Sequence, residues 1–119
     1  MPISINRKLW YDGPNYTADS VIINPIAQKI ILIKRSSGEW ALPGGFINSK
    51  EDSFTAAIRE TKEETGTIIS DNPILIYKGL VNDPRNSQTS WIETSAYLFI
   101  VNELSEVSGR DDAIDAAWL

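Results

Sequence analysis

Apolar and polar positions along this chain fall into blocks whose period changes once, near the middle. Residues 18–24 (ADSVIIN) and 29–35 (KIILIKR) are dense in β-branched side chains and meet at Asn24-Pro25, which predicts two strands joined by a turn. A short strand over 40–42 ends at Pro43-Gly44-Gly45, where proline and two glycines break it. From about 52 to 65 the period becomes helical, with Phe54, Ala57, Ile58 and Thr61 recurring on one buried face. Ser49 or Asp52 can cap the start, and Gly66 stands where a left-handed stop favours glycine. Strand patterns return over 74–82 (ILIYKGLVN) and 91–101 (WIETSAYLFIV), around the polar loop DPRNSQTS. The final residues, DDAIDAAWL, begin as a loop and end apolar. Many strands with one central helix predict an α+β or sandwiched α/β domain, a single one at 119 residues.

Composition removes several chemistries. With no cysteine there is no disulfide, thiolate metal site or cysteine nucleophile. With no histidine, serine–histidine triads, imidazole bases and histidine-bound zinc go too. A net charge of −5 argues against nucleic acid as a partner. It leaves anionic small substrates open, because local cations can reverse the field within a cleft. The opening MPISINRKLW has no apolar leader, and no apolar run is long enough to span a membrane, so the expectation is a cytoplasmic protein.

The predicted helix carries Glu60, Glu63 and Glu64 at i, i+3 and i+4, which places three like charges side by side and destabilises it. Two of them occupy the last turn, where the helix dipole disfavours anions. An acidic solvated helix with an i, i+4 Arg59–Glu63 pair explains one contact but not this crowding. A divalent cation explains it: hard carboxylate oxygens suit Mg²⁺, which keeps waters and bridges substrate phosphates.

The spacing of Gly45, Glu51, Arg59, Glu60, Glu63, Glu64 and Gly66 resembles the Nudix box, with all seven fixed positions met. Chance agreement is on the order of 10⁻⁷ per starting position. The resemblance implies a Nudix fold, a mixed β-sheet sandwiched with the catalytic helix. It also implies hydrolysis of a nucleoside diphosphate linked to another group, with Mg²⁺ or Mn²⁺ as cofactor. Carried over by position, Glu60, Glu64 and the Gly45 carbonyl would hold the metal. Glu63 would bind a second ion or act as base, Arg59 would orient a neighbouring carboxylate, and Glu51 would complete the cluster. Thr61 and Thr67 stand where the family prefers bulky apolar residues, and Ile68 and Ile69 are candidates to supply the missing packing. Nudix domains usually close with a second helix after the last strand, and this chain stops at DDAIDAAWL without it. A homodimer would then cover the face that helix leaves bare.

Three flanking stretches, WYDGPN (10–15), EWALPGG (39–45) and DPRNSQTSWIET (83–94), are similar to segments of mitochondrial-type ADP-ribose pyrophosphatases and of the ADP-ribose-binding domain of a TRPM-class channel. Asp83-Pro84-Arg85-Asn86 reads either as a turn with proline second or as a substrate loop. In the second reading Arg85 lies over a phosphate or ribose and Asn86 bonds a ribose hydroxyl. Glu93 is a metal or ribose contact or else a solvated strand residue. Trp40 is a core residue or an adenine platform, with core favoured, and Trp91 likewise. Lys34 and Arg35 end a strand near the glycine loop and meet either phosphate or solvent. The implied reaction converts ADP-ribose and water to AMP and ribose 5-phosphate. Rival readings are hydrolysis of nucleoside triphosphates or dinucleoside polyphosphates on the same box, and a sensor that binds ADP-ribose without cutting it.

Overall fold

A computed structural model describes residues 9–69 and 72–119. Most of the stretch read for a leader, residues 1–8, lies outside them. In chain order the elements are β1 (Gly13–Asn24), β2 (Lys29–Arg35), β3 (Trp40–Ala41), β4 (Gly44–Phe46), α1 (Ser53–Thr65), β5 (Ile74–Leu80), β6 (Ser90–Ile100) and β7 (Ala113–Trp118). The mixed sheet runs β3-β2-β1-β6-β5, with β4 added on β1 and β7 on β2. Its spine is the parallel pairing of β1 with β6, in register from Gly13↔Ser90 to Ile23↔Ile100. β2 pairs with β1 only at Ile23↔Ile30 and Asn24↔Lys29 and then diverges to pair with β3 and β7.

Two predicted boundaries move for a non-local reason. β1 begins at Gly13 rather than at 18, because its first residues take partners from the start of β6. Gly44–Phe46, expected as a loop, is a strand pairing with Thr17–Asp19 of β1. The tail forms β7, which lies antiparallel along β2. Helix α1 forms for local reasons: Asp52 caps it by accepting from the Thr55 N–H at 2.8 Å, and Gly66 ends it with φ of 78°. Asp52, not Ser49, is the cap.

The buried side of α1 is smaller-grained than its pattern predicted. Ala56, Ala57, Thr61 and Thr65 are buried, while Phe54 stays 39% exposed with its ring edge-on to Tyr97. Ala18 of β1 packs directly on Ala56 and Ala57, and such a close approach leaves no room for a large side chain. The two family-atypical threonines are explained by hydrogen bonds. Thr61 Oγ1 donates to the Ala57 carbonyl or to Ser20 Oγ, each at 2.8 Å, and Thr67 pairs with Ser105. Ile69 joins the main core with Ile22, Ile31 and Phe99, whereas Ile68 points outward. Along edge strand β5, Ile74, Leu75, Ile76 and Tyr77 are each about half exposed.

Candidate active site

Every Nudix-box residue except Gly66 converges on the seam between β4 and α1. Arg59 is the hub. Its Nε donates to Glu51 at 2.8 Å, its Nη1 to Glu60 at 2.9 Å and to Glu63 at 3.1 Å, and its Nη2 to the Phe46 carbonyl at 3.1 Å. One guanidinium therefore fixes three carboxylates and the strand that precedes them, geometry a lysine could not reproduce. The Glu60 carboxylate lies against the Gly45 Cα so closely that a Cβ there would sit 2.7 Å from it. Glu64 accepts the Gly44 N–H at 2.8 Å.

Burial sets the charge state of these acids. The Glu64 carboxyl is pushed up to about 7, mainly by desolvation and further by the nearby Glu60, with the Gly44 N–H acting the other way. Burial also raises Glu60, against the pull of Arg59. Glu51 is held below the usual carboxylate range, chiefly by its hydrogen bond from Arg59. Two neighbouring carboxyls whose ionised forms are both disfavoured by burial make a site short of positive charge.

Gly44 and Gly45 line a cleft of about 330 Å³ together with Glu64, Arg35 and Arg85. Arg85 is oriented by Asp83, which accepts from Nε at 2.9 Å and from Nη2 at 3.0 Å, and its guanidinium carbon lies 5.5 Å from the Phe46 ring centroid. The Asp83–Asn86 segment is thus a turn, closed by the Asn86 N–H on the Asp83 carbonyl at 3.0 Å, and a cationic wall as well.

Three expected contacts are not assembled. Asn86 serves the turn itself: its Nδ2 donates to the Val81 carbonyl at 2.6 Å and its Oδ1 accepts from the Ile92 N–H at 2.9 Å, which leaves one N–H and one lone pair of the amide uncommitted. Glu93 alternates with Ile92 and Thr94, whose side chains face the cleft, so it lies on the other side of β6 and accepts from Trp91 Nε1 at 2.9 Å. Trp40 is neither core nor cleft; it is 40% exposed, with the Lys34 ammonium 5.9 Å from its ring centroid. Two acids escaped the sequence reading. Asp19 enters from β1, accepting from Thr94 Oγ1 at 2.7 Å, and burial raises its carboxyl. Asp112 also lines the cleft, because the Ser108 and Arg110 N–H groups dock on the Thr65 and Glu64 carbonyls at the end of α1. The alternation of β1 could have pointed to Asp19, but nothing in the local pattern marks Asp112.

Comparison with known proteins decides the family. The NUDIX domain model matches residues 14–119. The chain belongs to the Nudix family. It is 33% identical to the mitochondrial ADP-ribose pyrophosphatase of Rattus norvegicus, over 90% of this chain and 42% of that protein. It is 30% identical to the ADPR responsive transcriptional repressor NtrR of Acinetobacter baylyi, over 81% of this chain and 40% of the repressor. The chain thus spans less than half the length of both relatives. Among solved structures, a MutT/nudix family protein from Enterococcus faecalis superposes with a TM-score of 0.77 at 36% identity, covering 92% of this chain and 45% of that one. A bifunctional NMN adenylyltransferase/ADP ribose pyrophosphatase from Francisella tularensis, complexed with AMP and a Mn ion, gives 0.67 at 26% identity, covering 93% and 35%.

The donor set of this Nudix site fits a hard divalent cation. Among the described residues no three carboxylates already close on one point, since Arg59 holds two of the trio and Gly44 the third. Mg²⁺ does not require such a cage, because it takes one or two carboxylates and completes its shell with water and substrate phosphate. Among the described residues no helix is long and apolar enough to cross a membrane.

Proposed function

We infer that this chain is a divalent-cation-dependent diphosphatase whose substrate is ADP-ribose, giving AMP and ribose 5-phosphate. The observation that carries the reading is that one cleft is lined both by Glu64 and Gly45 and by the cations Arg35 and Arg85. A diphosphate bound there can meet both guanidinium groups and a cation held by carboxylates. Glu60, Glu64 and the Gly45 carbonyl would hold the ion, with Glu63 available to a second. When bound, such an ion neutralises the diphosphate and makes bound water more acidic.

The chain's own residues do the rest. Arg85, preset by Asp83, orients a phosphate without first having to find its rotamer. Arg59 keeps Glu51, Glu60 and Glu63 in register. Glu63, with 43% of its side chain exposed, is the carboxylate with room to take the proton from an attacking water. The water oxygen bonds one phosphorus as the bridging oxygen leaves on the other phosphate. Relatives named as ADP-ribose pyrophosphatases support this substrate. The similarity to a repressor supports a second reading, in which the site binds ADP-ribose and does not turn it over.

Product analysis tests both. The protein is incubated with Mg²⁺ or Mn²⁺ and an equimolar panel of ADP-ribose, NADH, dinucleoside polyphosphates and nucleoside triphosphates. Preferential release of AMP and ribose 5-phosphate supports the reading, and preference for another panel member replaces the substrate. Binding of ADP-ribose without cleavage moves the chain to the sensor reading. A homodimer covering the face that a closing helix would otherwise cover belongs to the same proposal, and a monomer mass by light scattering would remove it.

A further inference from the structure

We propose that Ser20 and Thr61, a hydroxyl pair buried between β1 and α1, are positioning residues that set where Glu60 and Glu64 stand against the glycine strand. Neither residue lines the cleft, and both are fully buried.

Ser20 touches both halves of the carboxylate site. Its N–H donates to the Pro43 carbonyl at 2.9 Å, immediately before Gly44-Gly45, and its neighbours Asp19 and Ala18 pair with those two glycines. Its Oγ donates to the Ala57 carbonyl of α1 at 3.1 Å and accepts from Thr61 Oγ1 at 2.8 Å. Thr61 directly follows Glu60 and precedes Glu64, so it belongs to the turn that carries both acids. One residue of β1 thus holds the glycine strand through its backbone and the glutamate turn through its side chain.

An apolar pair would fill this space without marking a place along it, because the attraction between apolar groups has no direction. A hydrogen bond weakens steeply with misalignment. Both side-chain partners of Ser20 lie on α1, so rolling or sliding the helix would leave a buried hydroxyl unpaired. The site is sensitive to such a shift. Glu60 already lies against the Gly45 Cα, and Glu64 accepts the Gly44 N–H at 2.8 Å. Catalytic groups need placement within about 0.5 Å of their productive geometry. The inference rests on the reading in which Glu60, Glu64 and the Gly45 carbonyl hold the ion.

The pair can be cut without orphaning a buried group. In Thr61→Val, Ser20 keeps the Ala57 carbonyl; in Ser20→Ala, Thr61 Oγ1 has the same carbonyl at 2.8 Å. The full chain is titrated with Mn²⁺ alone, followed by paramagnetic resonance of the free ion, and kcat and KM for ADP-ribose are measured at saturating Mg²⁺. Mn²⁺ affinity and kcat should each fall about tenfold in either variant, with KM within about twofold, and both should return in Thr61→Ser. The double variant should be no worse than the single ones, since each removes the same bond. Additive losses overturn the proposal, as does parental Mn²⁺ affinity and kcat in both single variants. Losses that follow the melting temperature across the variants overturn it too, because they report folding rather than placement. Mn²⁺ affinity unchanged in Glu64→Gln would remove the assignment of the ion and the proposal with it. Weaker Mn²⁺ binding in both single variants, with no cleavage of ADP-ribose by the parent, would sink the hydrolase reading and leave the positioning pair standing. Cleavage indifferent to both substitutions would do the reverse.

Discussion

The Glu64 carboxylate accepts the Gly44 N–H at 2.8 Å, tying the last turn of α1 to the glycine strand twenty residues before it. That bond engages one oxygen of the Glu64 carboxylate, and the second would be available to a cation. Glutamine can accept the same N–H but cannot supply a charged ligand. Glu64→Gln is therefore expected to keep the fold, with an unchanged circular dichroism spectrum, and to lose turnover on the order of 10²-fold or more. Near-parental kcat/KM would mean that Glu64 does not hold the ion.

The two adjacent glycines separate by what faces them. A Cβ on Gly45 would lie 2.7 Å from the Glu60 carboxyl, a side chain that can yield. A Cβ on Gly44 would lie 2.5 Å from the Ala18 carbonyl, backbone held in the β1–β4 ladder. Gly45→Ala should displace Glu60 and cost activity by up to about a hundredfold at nearly constant melting temperature. Gly44→Ala should lose about 1–3 kcal/mol of stability, measured by urea unfolding. Equal loss of stability in both would contradict the distinction.

Parts of this molecule legible in the sequence share one property: their determinants are local. Asp52, the apolar period and Gly66 lie within the helix they define, and the box spacing is read along that same helix and the loop before it. What was misread depends on distant chain. Residues 13–17 are strand because of residues 90–94, and Gly44–Phe46 because of Thr17–Asp19. Phe54 obeys the helical period yet stays outside because Ala18 leaves space only for alanines. Asn86 also bonds the Val81 carbonyl and the Ile92 N–H, a structural duty that its local sequence does not announce. Asp112 reaches the cleft only because residues 108–110 cross the end of α1.

Asn86 gives a prediction that separates structure from recognition. Removing its amide leaves the Val81 carbonyl and the Ile92 N–H without their partner. Asn86→Ala should be destabilised by about 1–3 kcal/mol, with a higher KM because the turn carrying Arg85 loosens. A higher KM at parental stability would return Asn86 to the list of ribose contacts.

Glu64 also predicts how the metal-free protein responds to pH. Its carboxyl titrates near 7 in the folded chain and near the ordinary 4.5 when unfolded, because burial disfavours the anion. Between those values the native state holds a proton that the unfolded state has released. Stability must then fall as pH rises from about 4.5 to about 7, and this contribution levels off above that window. Glu60, raised for the same reason, adds to the slope. Urea unfolding in the presence of a chelator should show this decline, and Glu64→Gln should flatten it. Adding Mg²⁺ above the window should raise the melting temperature, because the ion binds the native state alone. A parent chain whose metal-free stability does not decline across the window would show that Glu64 is solvated, and with it would go the argument that burial prepares this site for a cation.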